Sequence, residues 1–517
     1  MLLIILLCAA FVYILYRYCT RTFNYWKTRN ITGPKPIPLF GNIKNSALRK
    51  EHISMAIKKI YDDFPGEKVV GMYRMTTPCL LIKDLDTIKN VMIKDFEQFT
   101  DRGIEFSKEG LGANLFHSDG DTWRVIRKRF SPIFTSGKLK NMTPLIVDCG
   151  DKFINYVCDV TSVQCDQEMH LLLIQFMTTT TVACVFGLDV NTFTETQQHA
   201  LKTLDNLIFN MSFVYELDMM YPGILKMLNS SLFPAKVTEF FHDLVKTVMT
   251  QREGLPSSRK DFMDSILELI AQETVTDCKG DILEIPALEL TEGVIAAQAF
   301  SFYAAGYETS ATTLTYMLYH LALRPDIQDK LLNEIDRGLE KCDGRLTYDV
   351  INDMPYLEKV FDETLRMHPI VDPLMRNAKS DYKIPGTNII IEKGQTVLVS
   401  LAGIHHDAKY YLNPERFDPE RFSPSEAGER HSCAYMPFGV GPRNCLGKFL
   451  VAVASRRLCV TYSTLTNTLQ LSTSRQRRVA VPPRPLFAQT FTYNAHGSTK
   501  KVIKTVQLMD VVLSIIN

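Results

Sequence analysis

The chain has 517 residues, of which 58 are Lys or Arg and 57 are Asp or Glu, so its formal net charge is +1. With 46% hydrophobic residues and 24 Pro, the composition is that of a globular protein and argues against a disordered or collagen-like chain. A near-neutral charge gives no electrostatic reason to expect binding to nucleic acid. The 12 Cys form no C-x-x-C pair, which argues against a zinc ribbon or a dithiol redox motif, and we expect most thiols to be reduced.

The first 20 residues predict a membrane segment. Residues 2–16 form an apolar run without a charged side chain. The length of this run lies between that of a signal-peptide core and that of a full membrane span. A retained anchor is favoured over a cleaved signal, because no basic residue precedes the run and the small residues Ala9 and Ala10 lie in its middle. Lys and Arg follow with no acid until Glu51. The positive-inside rule therefore places the rest of the chain in the cytosol.

We expect three parts: a transmembrane signal anchor at 1–20, a basic and proline-rich hinge at 21–50, and one large body at 51–517. Alternating prolines after Gly33 favour an extended hinge rather than a helix. The body is predicted to be mainly α with a minor β region. Helices are predicted at 122–130, 290–323, 326–339 and 355–367, and short strands at 79–82, 388–391 and 396–400.

The most informative segment is 437–447, PFGVGPRNCLG, in which three glycines surround Cys445 and Arg443 precedes it by two residues. A lone Cys is commonly a buried, inert small hydrophobe. Glycines let the backbone approach closely, however, so this loop is able to present a thiolate to a metal with N–H groups directed at the sulfur.

This segment resembles the signature F-x-x-G-x-R-x-C-x-G of the cytochrome P-450 superfamily, the haem-thiolate monooxygenases, at Phe438, Gly441, Arg443, Cys445 and Gly447. The resemblance implies a single large cytochrome P-450-type helical fold behind the anchor. It also implies haem b, iron protoporphyrin IX, as the cofactor, with Cys445 as the axial ligand of the iron and Phe438 and Arg443 as further haem-binding residues.

A second match lies at 305–310, AGYETS, within the long helix predicted at 290–323. From the residues alone, Thr309 is a buried side chain bonded to a carbonyl one turn earlier, and Gly306 costs the helix about 1 kcal/mol relative to Ala. The family has its acid–alcohol motif here. This implies that Thr309 bonds the oxygen species on the iron and that Glu308 relays protons to it, so these two residues are the predicted catalytic pair.

A third match is the E-x-x-R of Glu363 and Arg366, which share one helix face. The resemblance implies a buried structural triad with an Arg from a P-E-R-F segment. Two such segments are present, at 414–417 and 419–422, and the family's form F-x-P-E-R-F selects Arg421.

The segment 123–127 fits the family's W-x-x-x-R. The resemblance implies that Trp123, Arg127, Arg376 and Arg443 donate to the haem propionates, since guanidinium groups suit planar carboxylates. Taken singly, each Arg is equally well explained as a solvated surface charge. Arg102 is left outside this set.

The sequence His405-His406-Asp407 invites a metal-site interpretation. Adjacent His side chains point apart and no third ligand is signalled, so a loop that caps itself is favoured.

The resemblance extends from the proline-rich segment to about Leu458, and 130–140 is similar to the microsomal xenobiotic-oxidising branch, including arthropod detoxifying members. Residues 463–517 form an atypical tail that does not align. Either this tail is divergent, or it comes from an altered reading frame or splice product.

The predicted function is insertion of one atom of O2 into a small lipophilic substrate, a xenobiotic or an endogenous lipid-like compound, at the endoplasmic reticulum membrane. No G-x-G-x-x-G motif is visible, so electrons are expected from NADPH through NADPH–cytochrome P-450 reductase, with cytochrome b5 as a second candidate donor. Lys128 and Arg129 are candidates to face such an acidic partner. A large apolar pocket is expected along the segment after Arg102, 300–305 and 370–374.

Two other classes of protein are weighed against this one. A haem-thiolate isomerase or dehydratase is disfavoured by the intact Glu308-Thr309 pair. An inactive haem protein is suggested by the unusual tail. NADPH consumption linked to substrate separates the monooxygenase from both.

Overall fold

The computed structural model describes residues 1–104, 110–164, 167–190, 204, 208, 227–228, 233–277, 289–342, 347–448 and 452–453. The atypical tail expected at 463–517 lies outside these residues. So does 105–109, the first part of the expected pocket wall after Arg102.

Helices dominate the described chain, as expected from the sequence. They are α1 Leu2–Thr20, α2 Tyr25–Thr28, α3 Lys44–Ala47, α4 Ile53–Asp63, α5 Leu85–Lys89, α6 Gly120–Phe130, α7 Ser136–Val163, α8 Met169–Val185, α9 Ala235–Gln251, α10 Phe262–Asp277, α11 Glu292–Leu323, α12 Pro325–Glu340, α13 Tyr348–Asn352, α14 Pro355–Met367, α15 Leu401–His405 and α16 Pro424–Ala427. The four helices predicted from the sequence are confirmed as α6, α11, α12 and α14, with ends within two residues of those expected.

Local chemistry explains where the two most important helices begin and end. Helix α11 begins after Thr291, whose hydroxyl oxygen accepts the N–H of Val294 at 3.3 Å and so caps the first turn. Helix α14 begins with Pro355, where a missing N–H costs nothing. It ends before Pro369, because the residue preceding a proline avoids the helical conformation.

A small β region completes the fold, with strands β1 Val69–Arg74, β2 Thr77–Ile82, β3 Leu374–Asn377, β4 Tyr382–Lys383, β5 Ile390–Ile391 and β6 Thr396–Val399. One sheet has the order β1-β2-β6-β3, in which β2 and β6 are parallel and the other neighbours antiparallel. The other sheet pairs β4 with β5. The three strands predicted from the sequence correspond to β2, β5 and β6.

The hydrophobic interior forms two clusters. The larger one is built by the helices and centres on α11, most of whose side chains are buried all around the helix. The smaller one surrounds the four-stranded sheet. A helix that is apolar on every face belongs in the middle of a core, so α11 crosses the helical body and brings the segment 305–310 to its interior.

Helix α1 stands apart from this body and almost all of its side chains are exposed. Its 19 residues are long and apolar enough to cross a membrane, by length and composition. This fits the predicted anchor.

The residues after α1 pack tightly against the sheet. Trp26 is 3% exposed, its ring covers Gly71, and its Nε1 donates to the carbonyl of Met72 at 3.0 Å. The Tyr25 hydroxyl donates to Glu392 at 2.8 Å. These contacts join the end of the apolar helix directly to the folded body.

Candidate active site

The loop around Cys445 has the geometry that its glycines predict. Gly439 and Gly441 adopt positive φ angles of 70° and 75°, which L side chains rarely adopt. A Cβ at Gly441 would also overlap the carbonyl oxygen of Met92. The N–H of Cys445 donates to the carbonyl of Phe438 at 2.8 Å, which closes the loop on itself.

Cys445 is exposed to solvent in a loop whose other residues are mostly half-buried. Burial raises the pKa of this thiol, while the backbone N–H of Gly447 and the positive charge of Arg127 act in the opposite direction. An accessible sulfur that receives an N–H bond is suited to hold a negative charge toward a metal.

Guanidinium groups from distant parts of the chain gather beside this loop. Arg376, on β3, and Arg443 are each 4% exposed, and burial lowers the pKa of each to about 10. Arg102 joins them: burial lowers its pKa, and the neighbouring charges of Arg376 and Arg443 lower it further. The Asp119 carboxylate pairs with Arg443 at 3.2 Å.

This arrangement fits a haem group. Among the described residues, Arg376 Nε and Arg443 Nε and Nη1 are buried donors without a hydrogen-bond partner. Buried donors of this kind cost free energy unless a partner satisfies them. Because three guanidinium groups outnumber the two nearby carboxylates, Asp119 and Asp101, the cluster keeps an excess of positive charge that suits the propionates of a haem ligated by Cys445.

The predicted propionate donors Trp123 and Arg127 have other contacts in the structure. The Arg127 guanidinium donates to the backbone carbonyl of Asn444 at 2.9 Å and to its side-chain oxygen at 2.7 Å. The Arg443 guanidinium lies 4.4 Å from the centre of the Trp123 ring. Both residues therefore support the Cys445 loop, and their propionate role stays a prediction.

The segment 305–310 contains a solvent-exposed position between buried residues in the middle of helix α11. Ala305 is exposed, whereas Tyr303 and Tyr307 on either side are buried. Thr309 lies on the same face one turn later, and its hydroxyl donates to the carbonyl of Ala305 at 2.6 Å. The bond expected from the residues alone is thus present, and it lies at the accessible face of the helix.

Gly306 has a packing reason in this structure. A Cβ at this position would lie 3.3 Å from both Cγ2 and Oγ1 of Thr181 on α8. The glycine therefore permits α8 and α11 to approach closely, which compensates for its cost in helix propensity.

Glu308 is turned toward helix α8. Its Oε1 lies 3.5 Å from Nε2 of His170, and Nδ1 of His170 lies 3.1 Å from the hydroxyl of Thr315. Nothing in the sequence near Glu308 pointed to His170, because the two residues belong to different helices.

The predicted structural triad is confirmed. Arg366 donates to both oxygens of Glu363, at 2.7 and 3.0 Å, and neither residue is exposed. Arg421 Nε lies 3.4 Å from Glu363 Oε1, so the choice of Arg421 from the two P-E-R-F segments is correct.

Helix α14 also supports the chain that leads into the Cys445 loop. The Tyr435 hydroxyl donates to the Asp362 carbonyl at 2.9 Å.

The two adjacent histidines contact different parts of the chain. The N–H of Met436 donates to Nε2 of His405 at 3.1 Å, and Nδ1 of His406 lies 3.1 Å from the carbonyl of Ala402. His406 therefore caps its own short helix, as the self-capping interpretation expects, whereas His405 does not and instead holds the distant backbone of Met436.

The expected pocket wall at 300–305 is only partly accessible. Phe300 is 2% exposed and packs edge-to-face against Phe233 and Phe241, at centroid distances of 4.7 and 4.9 Å. The Phe300 end of this segment therefore belongs to the core, and its Ala305 end faces the accessible space. Val371, within the expected wall at 370–374, is 43% exposed.

The family model for cytochrome P450 matches residues 31–477 of this chain. The match begins in the proline-rich segment and extends beyond Leu458, where the resemblance found in the sequence fades.

Curated relatives show the same similarity over most of their length. Cytochrome P450 6B1 of Papilio polyxenes is 56% identical over 435 residues, covering 84% of this chain and 87% of the relative. Cytochrome P450 6B2 of Helicoverpa armigera is 53% identical over 470 residues, covering 91% and 92%. The probable cytochrome P450 6a14 of Drosophila melanogaster is 37% identical over 442 residues, covering 83% and 86%.

Proposed function

Because the chain belongs to the cytochrome P450 family, and is therefore a haem-thiolate monooxygenase, we propose that it oxidises small lipophilic compounds, xenobiotic or lipid-like, at the endoplasmic reticulum membrane. The observation that carries this proposal is the accessible thiol of Cys445 beside buried, unsatisfied guanidinium donors. The similarity to insect P450 proteins of the 6B type supports the xenobiotic class of substrate.

Haem binding is assigned to the Cys445 loop and the arginine cluster. Cys445 would ligate the iron, and Arg376 and Arg443 would donate to the propionates. When bound, the thiolate-ligated haem supplies the reductive activation of O2, so that one atom enters the substrate and the other leaves as water. Phe438 faces the hydrophobic core, where its ring lies near Phe361, and it holds the loop to the helical body.

Proton delivery is assigned to Thr309 and Glu308. The Thr309 hydroxyl has one hydrogen, which the structure directs to the Ala305 carbonyl. Its oxygen keeps lone pairs on the accessible face, so it accepts a hydrogen bond there without rearrangement. Before it can donate to a ligand, the hydroxyl must break its hydrogen bond with the Ala305 carbonyl. This hydrogen bond would therefore control when Thr309 Oγ1 can donate a proton.

The electron donor is proposed to be NADPH–cytochrome P450 reductase, with cytochrome b5 as a second donor, bound near the end of helix α6. Arg127 on this helix touches Asn444, the residue before the iron ligand. Lys128, the next residue, is exposed. An acidic partner bound to Lys128 and its neighbour Arg129 would therefore lie close to the thiolate side of the site.

Membrane attachment is proposed to be single-pass, through residues 1–20, with the catalytic body 51–517 in the cytosol. The length and apolarity of α1 and the basic residues that follow it support this topology. The contacts of Trp26 and Tyr25 with the sheet region would then fix how the body sits on the membrane surface.

The test of the proposed function is the ferrous–CO difference spectrum of the purified full-length protein and of Cys445→Ser. A long-wavelength Soret band that is lost in the variant supports thiolate ligation by Cys445. Cys433→Ala is the matched control, because Cys433 is buried in the chain leading to the same loop, and it should keep the band. A parent protein without the long-wavelength band would contradict the proposal.

Turnover then tests the partner. With reductase and NADPH, substrate-linked NADPH consumption is expected, and Lys128→Glu should raise the reductase concentration needed for half-maximal rate. Lys393→Glu, an exposed lysine between β5 and β6, should leave this concentration unchanged. Equal effects of the two variants would refute the docking site.

A further inference from the structure

Residues 110–119 form a loop between the arginine cluster and helix α11. The loop contains a 3-10 turn at Gly110–Gly112, and its Phe116 side chain is 43% exposed, while Leu111 and Leu115 are buried. An exposed aromatic ring that directly follows a buried anchor, Leu115, is held in place by the backbone around it. The orientation of Phe116 therefore depends on what fastens this loop.

Gln298 fastens the loop to helix α11. Its side chain is wholly buried, its Oε1 accepts the N–H of Leu115 at 2.8 Å, and its Nε2 donates to the carbonyl of Ala113 at 3.0 Å. One amide thus satisfies a donor and an acceptor two residues apart, an arrangement that only this orientation of the amide permits. A buried polar group with both partners in place costs far more to disturb than an exposed one.

The other end of the loop is bound to the arginine cluster. Arg102 donates to the carbonyl of Phe116 at 2.6 Å, and its guanidinium lies 4.2 Å from the centre of the Phe116 ring. Arg443 donates to the carbonyl of Ser118 at 2.8 Å. The loop is therefore held between the haem-binding cluster on one side and α11 on the other.

Gln298 also has the right place on its helix. Ala305, an exposed residue in the middle of α11, follows it by seven residues, which is two turns along the same face and about 10 Å along the axis. Gln298 therefore fastens the loop at a point about two helical turns from the accessible face at Ala305, whereas Arg443 of the Cys445 loop fastens it at Ser118.

We propose that Gln298 is a positioning residue for substrate binding, which sets the separation between α11 and the loop that carries Phe116. The inference rests on the proposed function only in taking this space as the substrate pocket. Gln298 does not touch the haem-binding residues, so its loss should change the fit of bulky ligands and leave the iron site intact.

The experiment uses two azoles that bind the haem iron, imidazole and 4-phenylimidazole, titrated by the shift of the Soret band. In Gln298→Leu, which removes both hydrogen bonds, we expect the Kd of 4-phenylimidazole to rise about tenfold and the Kd of imidazole to stay unchanged. Gln298→Glu keeps an acceptor for Leu115, and its buried carboxyl, in the neutral form that burial favours, still donates to Ala113, so it should show a smaller rise. Thr312→Val is the control, because Thr312 is buried on the same helix and its hydroxyl has no partner within the described chain.

A second measurement needs no ligand and no turnover. Hydrogen–deuterium exchange of the resting protein should be faster in peptides containing Leu115 for Gln298→Leu, and unchanged for Thr312→Val. Unchanged exchange, or an equal loss of affinity for both azoles, overturns the inference. If Gln298→Leu lacks the ferrous–CO band, Gln298→Glu decides by the same two criteria. A failure of the proposed function is distinct, since it would appear as a missing band in the parent protein, and the exchange measurement would still apply.

Discussion

Asp372 gives the sharpest pH prediction, because it is a carboxyl group buried without a cation. The residue is 9% exposed, its Oδ1 accepts the N–H of Leu401 at 2.6 Å, and its Oδ2 has no partner among the described residues. Burial raises the pKa of this carboxyl from 3.8 to about 7, against the opposing effect of the backbone N–H groups of Leu401 and Ala402. The charged form is therefore unfavourable in the folded protein.

The sign of the pH dependence follows from proton binding. Between pH 3.8 and about 7 the folded state holds this proton and the unfolded state has lost it, so stability is highest below this range and falls as the pH rises through it. A shift of about three pH units at 1.36 kcal/mol per unit gives a total loss of about 4 kcal/mol. Roughly 2 kcal/mol of this lies in the accessible range from pH 5 to 7, because the folded carboxyl is already half ionised at the upper end.

The perturbation is Asp372→Asn, which keeps one oxygen for Leu401 and cannot ionise. Relative to the parent, the variant should gain about 3 kcal/mol of unfolding free energy as the pH rises from 5 to 8. Denaturant unfolding followed at each pH measures this difference, with Asp121→Asn, at a highly exposed side chain, as the control that should stay parallel to the parent. Parallel curves for Asp372→Asn and the parent would refute the argument that the buried carboxyl is held protonated.

Three other changes test the packing around the site. Gly306→Ala should lower the thermal midpoint although Ala favours a helix by about 1 kcal/mol, because the new methyl meets Thr181, and Thr181→Ala in the same chain should restore it. Glu363→Gln should cost about 3–5 kcal/mol in unfolding free energy and reduce the haem content after purification, since it leaves the charge of Arg366 buried without its partner. Trp26→Ala should cost about 3–5 kcal/mol by the same unfolding assay, because the ring is buried on the sheet. An unchanged thermal midpoint would contradict the prediction for Gly306→Ala, and an unchanged unfolding free energy would contradict the prediction for Glu363→Gln or Trp26→Ala.

Much of this site could be predicted from short segments of sequence. The Cys445 loop is local, and its glycines are required by its own backbone angles. The triad was predicted because Glu363 and Arg366 match the family's E-x-x-R pattern and Arg421 lies in its F-x-P-E-R-F pattern; the helical spacing of Glu363 and Arg366 alone would not have identified it. In each case the residues that meet are close in sequence or carry a pattern of their own.

The contacts that sequence could not give join residues with no pattern between them. Gln298 meets Leu115 across 183 positions, and nothing in a buried glutamine indicates which backbone groups it will satisfy. Arg102 was left outside the haem-binding set because its guanidinium comes close to those of Arg376 and Arg443 only in the folded chain. The direction of a side chain at a helix crossing is likewise set by the crossing, which short-range periodicity does not encode.

The acid–alcohol pair illustrates this limit and its consequence for the reaction. Glu308 and Thr309 are adjacent, so their side chains leave the helix about 100° apart. Thr309 shares its accessible face with Ala305, whereas Glu308 lies against His170 on α8. The Thr315 hydroxyl donates its one hydrogen to the Ala311 carbonyl at 2.8 Å. Its oxygen is therefore the acceptor in the contact with Nδ1 of His170. Nε2 of His170 then faces the Glu308 carboxyl at 3.5 Å. For the proton delivery that we propose, Glu308 would therefore have to turn from α8 toward the accessible face that carries Thr309.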